Sequence, residues 1–272
     1  MSRHHTGAML CGLIRLELVG VTVPVLERDD ARIYYRDSKK GSPLVLLHEY
    51  FGTGESWNGQ RHVLARGYRV IIPDLRGHGR SVADRNDRLT VSTLADDTLA
   101  LLDKLEIRSA HFAGCSLGAI VALRIAQTAR SRIDSLMLSG VPDITESGPQ
   151  AYGADYAKQV FPKIEETLSQ RHGSGDRAYV RDMLLRNFEM DLEEKPADHF
   201  GAFQQAGSVD APTLLISGQH DPVFSPQAAV NVSARMRHSS LAVLPDTGHL
   251  VHLEMPGLVT ELMLDHLARS AR

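Results

Sequence analysis

HFAGCSLGAIVALRIAQTA, residues 111–129, decides the fold. An apolar run ends in Gly114-Cys115-Ser116-Leu117-Gly118, a G-x-S-x-G motif, and a second apolar stretch with helical character follows at once. A serine between a strand and a helix in this setting sits on a sharp turn. Its backbone angles are strained, and its neighbours two residues away must lack bulk. Gly114 and Gly118 meet that need. The turn exposes the Ser116 hydroxyl and sets backbone N–H groups at a helix N-terminus, where negative charge is favoured.

Outward from this turn, short apolar runs recur. VTVPVLE (21–27) and ARIYYRD (31–37) read as an antiparallel opening pair joined by Arg28-Asp29-Asp30. PLVLLHE, YRVIIPDL, SAHFAGCS, DSLMLSGV, PTLLISG and SLAVLP follow, continuous rather than alternating. Runs of that kind need cover on both faces, as in a parallel sheet flanked by helices. Between them lie amphipathic segments. In residues 90–105 Leu94, Leu99, Leu102 and Leu105 share a face, with Thr90 or Ser92 as the cap. Residues 117–129 are apolar nearly all round, and 255–271 close the chain as an amphipathic helix. The alternation predicts an α/β fold with a mostly parallel, doubly wound sheet of eight strands. From about 144 to 209 no strand is visible and two helix-like stretches flank a Gly/Ser break. An insertion of that length is read as a helical cap, leaving 18–143 and 210–272 as the core. Residues 1–17 read as a loosely held N-terminal extension.

Composition narrows the function classes. The chain has 272 residues, 43% of them hydrophobic, and a net charge of −3. The size allows a large core. The charge gives no general attraction to nucleic acid or anionic membrane. No apolar run approaches the about 18 residues of a membrane span. The short run GAMLCGLI (7–14) is followed by no small-residue cleavage site, so a cytoplasmic location is expected. The two cysteines, Cys11 and Cys115, are too few for a disulfide framework. Cys115, inside an apolar run, reads as a small buried hydrophobe.

A serine hydroxyl is a weak nucleophile and needs a base held by a carboxylate. His249, after Gly248 and past the last strand, is the candidate base; His252 is the competitor, although its position suits an apolar helical face. Asp221 in the loop after PTLLISG is the candidate carboxylate, with Asp143 as the alternative. His48-Glu49 opens a zinc-protease-like H-E-x-x-H, but position 52 is glycine, so the second ligand is missing. The chemistry needs no cofactor, and the histidine spacings suggest no metal.

These motifs together resemble the α/β-hydrolase superfamily from about residue 21 to the end. Besides the serine turn, the chain has a histidine loop followed by tryptophan (HEYFGTGESW, 48–57). It has a D-x-R-G-x-G-x-S stretch (Asp74, Arg76, Gly77, Gly79, Ser81) and a G-x-x-D loop (Gly218 to Asp221). It ends in G-H-x-x-x-x-E-x-P (Gly248, His249, Glu254, Pro256). The resemblance implies an eight-stranded hydrolase sheet with a cap and a Ser116-Asp221-His249 triad. It also implies an oxyanion hole from the backbone N–H groups of Tyr50 and Leu117. The D-x-R-G stretch is read as structural and Trp57 as core.

The family usually has glycine where this chain has Glu49, so the backbone there must suit a residue with a Cβ. The expected reading is that Glu49 points away and pairs with Arg76 or Arg80. Two others stay open: a pocket-facing Glu49 acting, with His48, as an auxiliary or substrate contact, and damage to the oxyanion hole. Under the first, Glu49→Gly keeps activity on a simple ester within roughly tenfold, about 1.4 kcal/mol.

The expected function is hydrolysis of a small carboxylic ester or lactone through an acyl-enzyme. Cap residues Tyr152, Tyr156, Phe161, Met183, Phe188 and Phe203 are candidates to line an acyl pocket. C–C bond hydrolysis, perhydrolysis, N-terminal peptide cleavage or a biosynthetic tailoring step would use the same triad. A ligand-binding pseudo-hydrolase is the rival from another class. The expected partner is a small-molecule substrate, not nucleic acid or membrane, and the oligomeric state is not legible in the sequence.

Overall fold

The computed structural model describes residues 24–50, 52–83, 90–142 and 205–270. Among them run strands β1 (Val25–Glu27), β2 (Ala31–Asp37), β3 (Ser42–Leu47), β4 (Tyr68–Pro73), β5 (Val82–Ala83), β6 (Ala110–Cys115), β7 (Ile133–Ser139), β8 (Thr213–Gly218) and β9 (Ser239–Leu244). The helices are α1 (Asn58–Leu64), α2 (Val91–Lys104), α3 (Leu117–Thr128), α4 (Pro226–Arg235), α5 (Val251–Glu254) and α6 (Pro256–Ser270).

The sheet order is β1-β2-β4-β3-β6-β7-β8-β9, with β5 paired to β2. All eight expected runs are present, and the short β5 is an addition. The opening pair is antiparallel, with Arg28 N–H donating to Ala31 O at 2.8 Å to close its turn. From β4 through β9 the path is parallel. The continuous apolar character of β3, β4, β6, β7 and β8 has the expected cause, since both sheet faces are covered there, whereas the edge strand β9 exposes Ser240 and Val243. On one face Val45, Leu47, Ile71 and Phe112 pack with Leu94 and Leu102 of α2 and with the apolar side chains of α3. On the other Leu44, Leu46, Ile72, Ala113 and Cys115 pack with Trp57, Leu64 and the α6 residues Val259, Met263 and Leu267. Successive residues of one strand thus feed opposite cores, as the two-residue strand period requires. Thr90 is the α2 cap, its hydroxyl accepting from Thr93 N at 2.9 Å.

Strand order reverses between β3 and β6. In open α/β sheets the crevice beyond the carboxyl ends of the strands at such a reversal is where ligands bind. The loop after β3 and the turn after β6 therefore face the same crevice.

The D-x-R-G-x-G-x-S stretch is structural, as read. Asp74 accepts from Gly54 N at 2.8 Å and Arg80 N at 2.9 Å, tying its own loop to the one after β3. Ser81 Oγ donates to Asp74 O at 2.6 Å and accepts from Tyr34 N at 2.9 Å. Arg76 is 1% exposed and binds Asp97 of α2 through two bonds of 2.7 and 2.9 Å. It also reaches Asp30 at 2.8 Å. A bidentate guanidinium–carboxylate pair of this kind joins α2, the β1–β2 turn and the loop after β4.

Residues 205–209 already belong to the core: Ala206 and Val209 are buried among its apolar side chains. Of the proposed cap over 144–209, residues 144–204, which include the six cap residues named above, lie outside the described residues, as does Asp143.

Removing one partner of a buried ion pair strands the other. Arg76→Ala should lower unfolding free energy by about 3 kcal/mol or more, read from urea unfolding followed by far-UV circular dichroism. An unchanged midpoint would remove this pair from the list of what holds the fold.

Candidate active site

Ser116 follows the last residue of β6 with φ 52° and ψ −113°. A non-glycine residue at positive φ is costly and persists only where its surroundings enforce it. Here the enforcement is visible. Ser116 N–H donates to Ser139 O of β7 at 2.9 Å, and Ser116 O accepts from Ala119 N and Ile120 N at 3.0 and 3.1 Å, opening α3. The turn exists because strand and helix pass very close. A Cβ on Gly118 would overlap the Leu47 carbonyl of β3, and one on Gly114 would overlap the Gly118 carbonyl. Leu117 is the first residue of α3, where an N–H has no acceptor within the helix.

The acid and base loops are laced together beyond β8 and β9. Gln219 N donates to Leu244 O at 2.9 Å and His220 N to Thr247 O at 2.8 Å. This brings Asp221 to His249, and His249 Nδ1 donates to Asp221 Oδ2 at 2.8 Å. The other carboxylate oxygen accepts from Val223 N at 2.7 Å and Phe224 N at 3.0 Å. An ionised carboxylate only accepts, so the hydrogen sits on Nδ1 and Nε2 keeps its lone pair as the basic nitrogen. The imidazole rests on Gly140, where an added Cβ would lie 2.7 Å from its Cε1. Gly140 directly follows Ser139, whose carbonyl holds Ser116. The His249 ring therefore sits at the end of β7, the strand next to the one that carries Ser116. His252, the competing imidazole, is elsewhere: its ring faces Glu49 and stacks on Trp57 at 4.5 Å between centroids.

One residue in the base loop had no role assigned from sequence. Glu254 accepts from Gly248 N at 2.7 Å and Leu250 N at 3.1 Å, gripping the backbone on both sides of His249. Its spacing from the base was legible; the clamp was not, because nothing in a linear pattern tells a carboxylate that binds backbone from one in solvent. Gly140 was likewise missed, its one signal being a glycine at a strand end.

The loop after β3 is organised around one carbonyl. Glu49 O accepts from Gly52 N at 3.1 Å, forming a turn, and from His48 Nδ1 at 2.7 Å. The peptide unit is planar and trans, so its N–H, that of Tyr50, points the opposite way from this pinned oxygen. His48 is fully buried and uses both ring nitrogens within the chain, since Nε2 accepts from Leu75 N at 2.9 Å. Burial lowers its pKa and keeps it neutral. His48 thus braces the loop through both ring nitrogens.

Glu49 departs from the expected pairing. Arg76 is bound to Asp97 and Asp30, and Arg80 donates to the Tyr34 hydroxyl at 3.1 Å and lies over its ring. Neither forms the pair with Glu49. The Glu49 side chain is 7% exposed and turns inward, Oε2 lying 3.5 Å from His252 Nε2. Burial raises the carboxyl, but the facing His252 outweighs it and holds the group at about 2. Glu49 is not among the described residues with positive φ, so a Cβ is accommodated.

Two measurements test this geometry. Gly140→Ala pushes a methyl into the His249 ring from a φ of +59°, and should cut turnover of any substrate by about 100-fold. Turnover near wild type would show that the ring does not rest there. For Glu49 the depressed pKa means its ionised form adds stability above the ordinary value of about 4.3. That increment is lost as pH falls towards about 2. The stability gap between wild type and Glu49→Gln, read by denaturant unfolding, should close across that window, and a pH-independent gap would contradict it.

The model of the alpha/beta hydrolase family matches residues 44–262. The chain is 28% identical over 230 residues to 3-oxoadipate enol-lactonase 1 of Acinetobacter baylyi, covering 80% of this chain and 85% of that protein. It is 26% identical to 2-hydroxy-6-oxo-6-phenylhexa-2,4-dienoate hydrolase of Burkholderia cepacia, over 91% and 95% of the two chains. Among solved structures, Est816, described as an N-acyl homoserine lactone degrading enzyme, superposes with a TM-score of 0.74. That match has 26% identity and covers 89% of this chain and 99% of the other. With a family match over most of its length, and a doubly wound sheet presenting a serine turn, this chain belongs to the alpha/beta hydrolase family.

Proposed function

We propose that the protein is a serine hydrolase that cleaves a small carboxylic ester or lactone through an acyl-enzyme. The observation that carries this reading is the 2.8 Å Asp221–His249 pair, seated on Gly140 beside the strained Ser116 turn. Ser116 Oγ attacks the acyl carbon and gives its proton to His249 Nε2. Asp221 keeps the imidazole in the right tautomer and stabilises the imidazolium. The N–H groups of Leu117 and Tyr50 receive the oxyanion. His249 then protonates the departing alcohol, or the lactone's own alkoxide, and the C–O bond breaks. Water, deprotonated by the same nitrogen, attacks the acyl-enzyme, and Ser116 regains its proton as the carboxylic acid leaves.

The relatives named as lactone-cleaving support the substrate class. The likeness to a dienoate hydrolase supports a second reading, C–C bond hydrolysis on the same residues. In either case the partner is a small molecule, not nucleic acid or membrane, and no cofactor or metal takes part. A cytoplasmic setting fits the composition.

A fluorophosphonate probe should label Ser116 rapidly, with Ser116→Ala unlabelled. Ser116→Ala should also lose at least about 10⁴-fold in turnover against nitrophenyl esters and acyl lactones. Wild-type protein that is folded yet unlabelled would instead support a binding protein. Turnover of a vinylogous diketone with none of the esters would favour the C–C reading.

A further inference from the structure

Besides the Arg76–Asp97 pair, the proposed reaction leaves a buried ionisable pair unused among the described residues. Glu49 and His252 face each other at 3.5 Å, with side-chain exposures of 7% and 0%. Burying a carboxylate is expensive unless something compensates it. Among the described residues, its one titratable partner at ion-pair distance is His252. At 3.5 Å the contact is looser than a well-made charged hydrogen bond, and the attraction is ionic only while the imidazole carries a proton. Such a pair adds little to stability compared with apolar packing of the same volume. What it does is join two particular segments.

Glu49 is the first residue of the turn whose second residue, Tyr50, supplies the proposed oxyanion donor. Its carbonyl is held by His48 and Gly52 N, and its carboxylate faces His252 across a 3.5 Å contact that is not a hydrogen bond, so residue 49 is tied at its backbone and seated against α5 by its side chain. The carboxylate also fills the space against Gly52, where a Cβ would overlap Oε1. His252 stands in α5, the single turn that ends in Glu254, and Glu254 grips the backbone on both sides of His249. Helix α5 is itself anchored: Gln60 Nε2 of α1 donates to His252 O at 2.7 Å, and Trp57 stacks on the ring. One short helix thus touches the oxyanion turn through one side chain and the base loop through another.

We propose that Glu49 and His252 are positioning residues, which lock the turn carrying the Tyr50 N–H to α5 and so hold oxyanion donor and base in register. The inference rests on the acyl-transfer reading above. A donor aimed at the developing oxyanion must be placed to within a fraction of an ångström, and a 1 Å error costs on the order of 100-fold. A glycine at position 49 would lack this brace. Glu49→Gly is therefore expected to lose more than the tenfold allowed when the carboxylate was read as pointing away.

The test is a double-mutant cycle on a nitrophenyl ester, with active sites titrated by fluorophosphonate so that only folded enzyme is counted. Glu49→Gln and His252→Gln should each lower kcat by 10- to 100-fold with KM within about twofold. The double variant should be no worse than the weaker single. A brace that is merely structural would lower the unfolding midpoint and leave kcat per titrated site unchanged. That result, or two losses that multiply as independent events, would overturn the proposal. If the single variants fail to fold, Gly52→Ala serves instead. It pushes the carboxylate off its seat with both charges retained, and should lower kcat in the same way; unchanged kcat there would also overturn it. Wild type that is labelled and active beside unimpaired variants defeats only this inference. Wild type that is never labelled defeats acyl transfer and this inference with it.

Discussion

The close passage of α3 over β3, with Gly118 against the Leu47 carbonyl, is the constraint on which the site depends. Because strand β6 and helix α3 cannot separate there, the chain between them has to reverse within one residue. That residue takes the positive φ of Ser116. The strain is held by a bond to β7 and by the first turn of α3, both of which lie in the packed interior. The cost at one position is spread over a core of two apolar layers, each filled from alternate residues of the same strands. The Ser116 turn is thus tied to the sheet on one side and to α3 on the other.

Around it, the fold assembles the other groups by backbone lacing more than by side-chain contact. Gly218 lies so near the Gly248 carbonyl that no Cβ fits between them. The bonds from residues 219 and 220 to the segment after β9 then leave the Asp221 carboxylate little choice of partner. Asp74 performs the same office on the other side, binding Gly54 N and so fixing where the loop after β3 ends. The strand ends are close neighbours because the order reverses at β3 and β6. Their loops converge for a topological reason, and short hydrogen bonds then set the distances.

Much of this was legible in the residues. Most of the apolar runs could be counted because strands covered on both faces carry uninterrupted apolar sequence; the opening pair and the edge strand β9 are the exceptions. The serine turn could be placed because its glycines answer a steric demand of short range. The contact between His249 and Asp221 was suggested by chain order. Glu49 marks where legibility ended. Its partner is far away in the chain, and His252 carried only the pattern of an apolar helical face, where it is indeed buried. The arginines that seemed available were already taken. Asp97 absorbs Arg76 from within the buried face of α2, where a carboxylate among leucines gives no linear sign of what it binds. Long-range pairing of charges depends on which of several equivalent carboxylates the packing brings closest. Periodicity does not carry that information.

The residue before Ser116 shows the reach of strand alternation. Cys115 stands one position before Ser116, yet its side chain enters the opposite apolar layer, among Ala113, Met137 and Ile216. It is fully enclosed there, and burial pushes the thiol pKa well above its ordinary value. Sulfur chemistry at this address is therefore silent. Peroxide and alkylating agents meet a buried, protonated thiol at Cys115, and neither redox swings nor thiol-directed reagents gain a handle on Ser116 through its immediate neighbour.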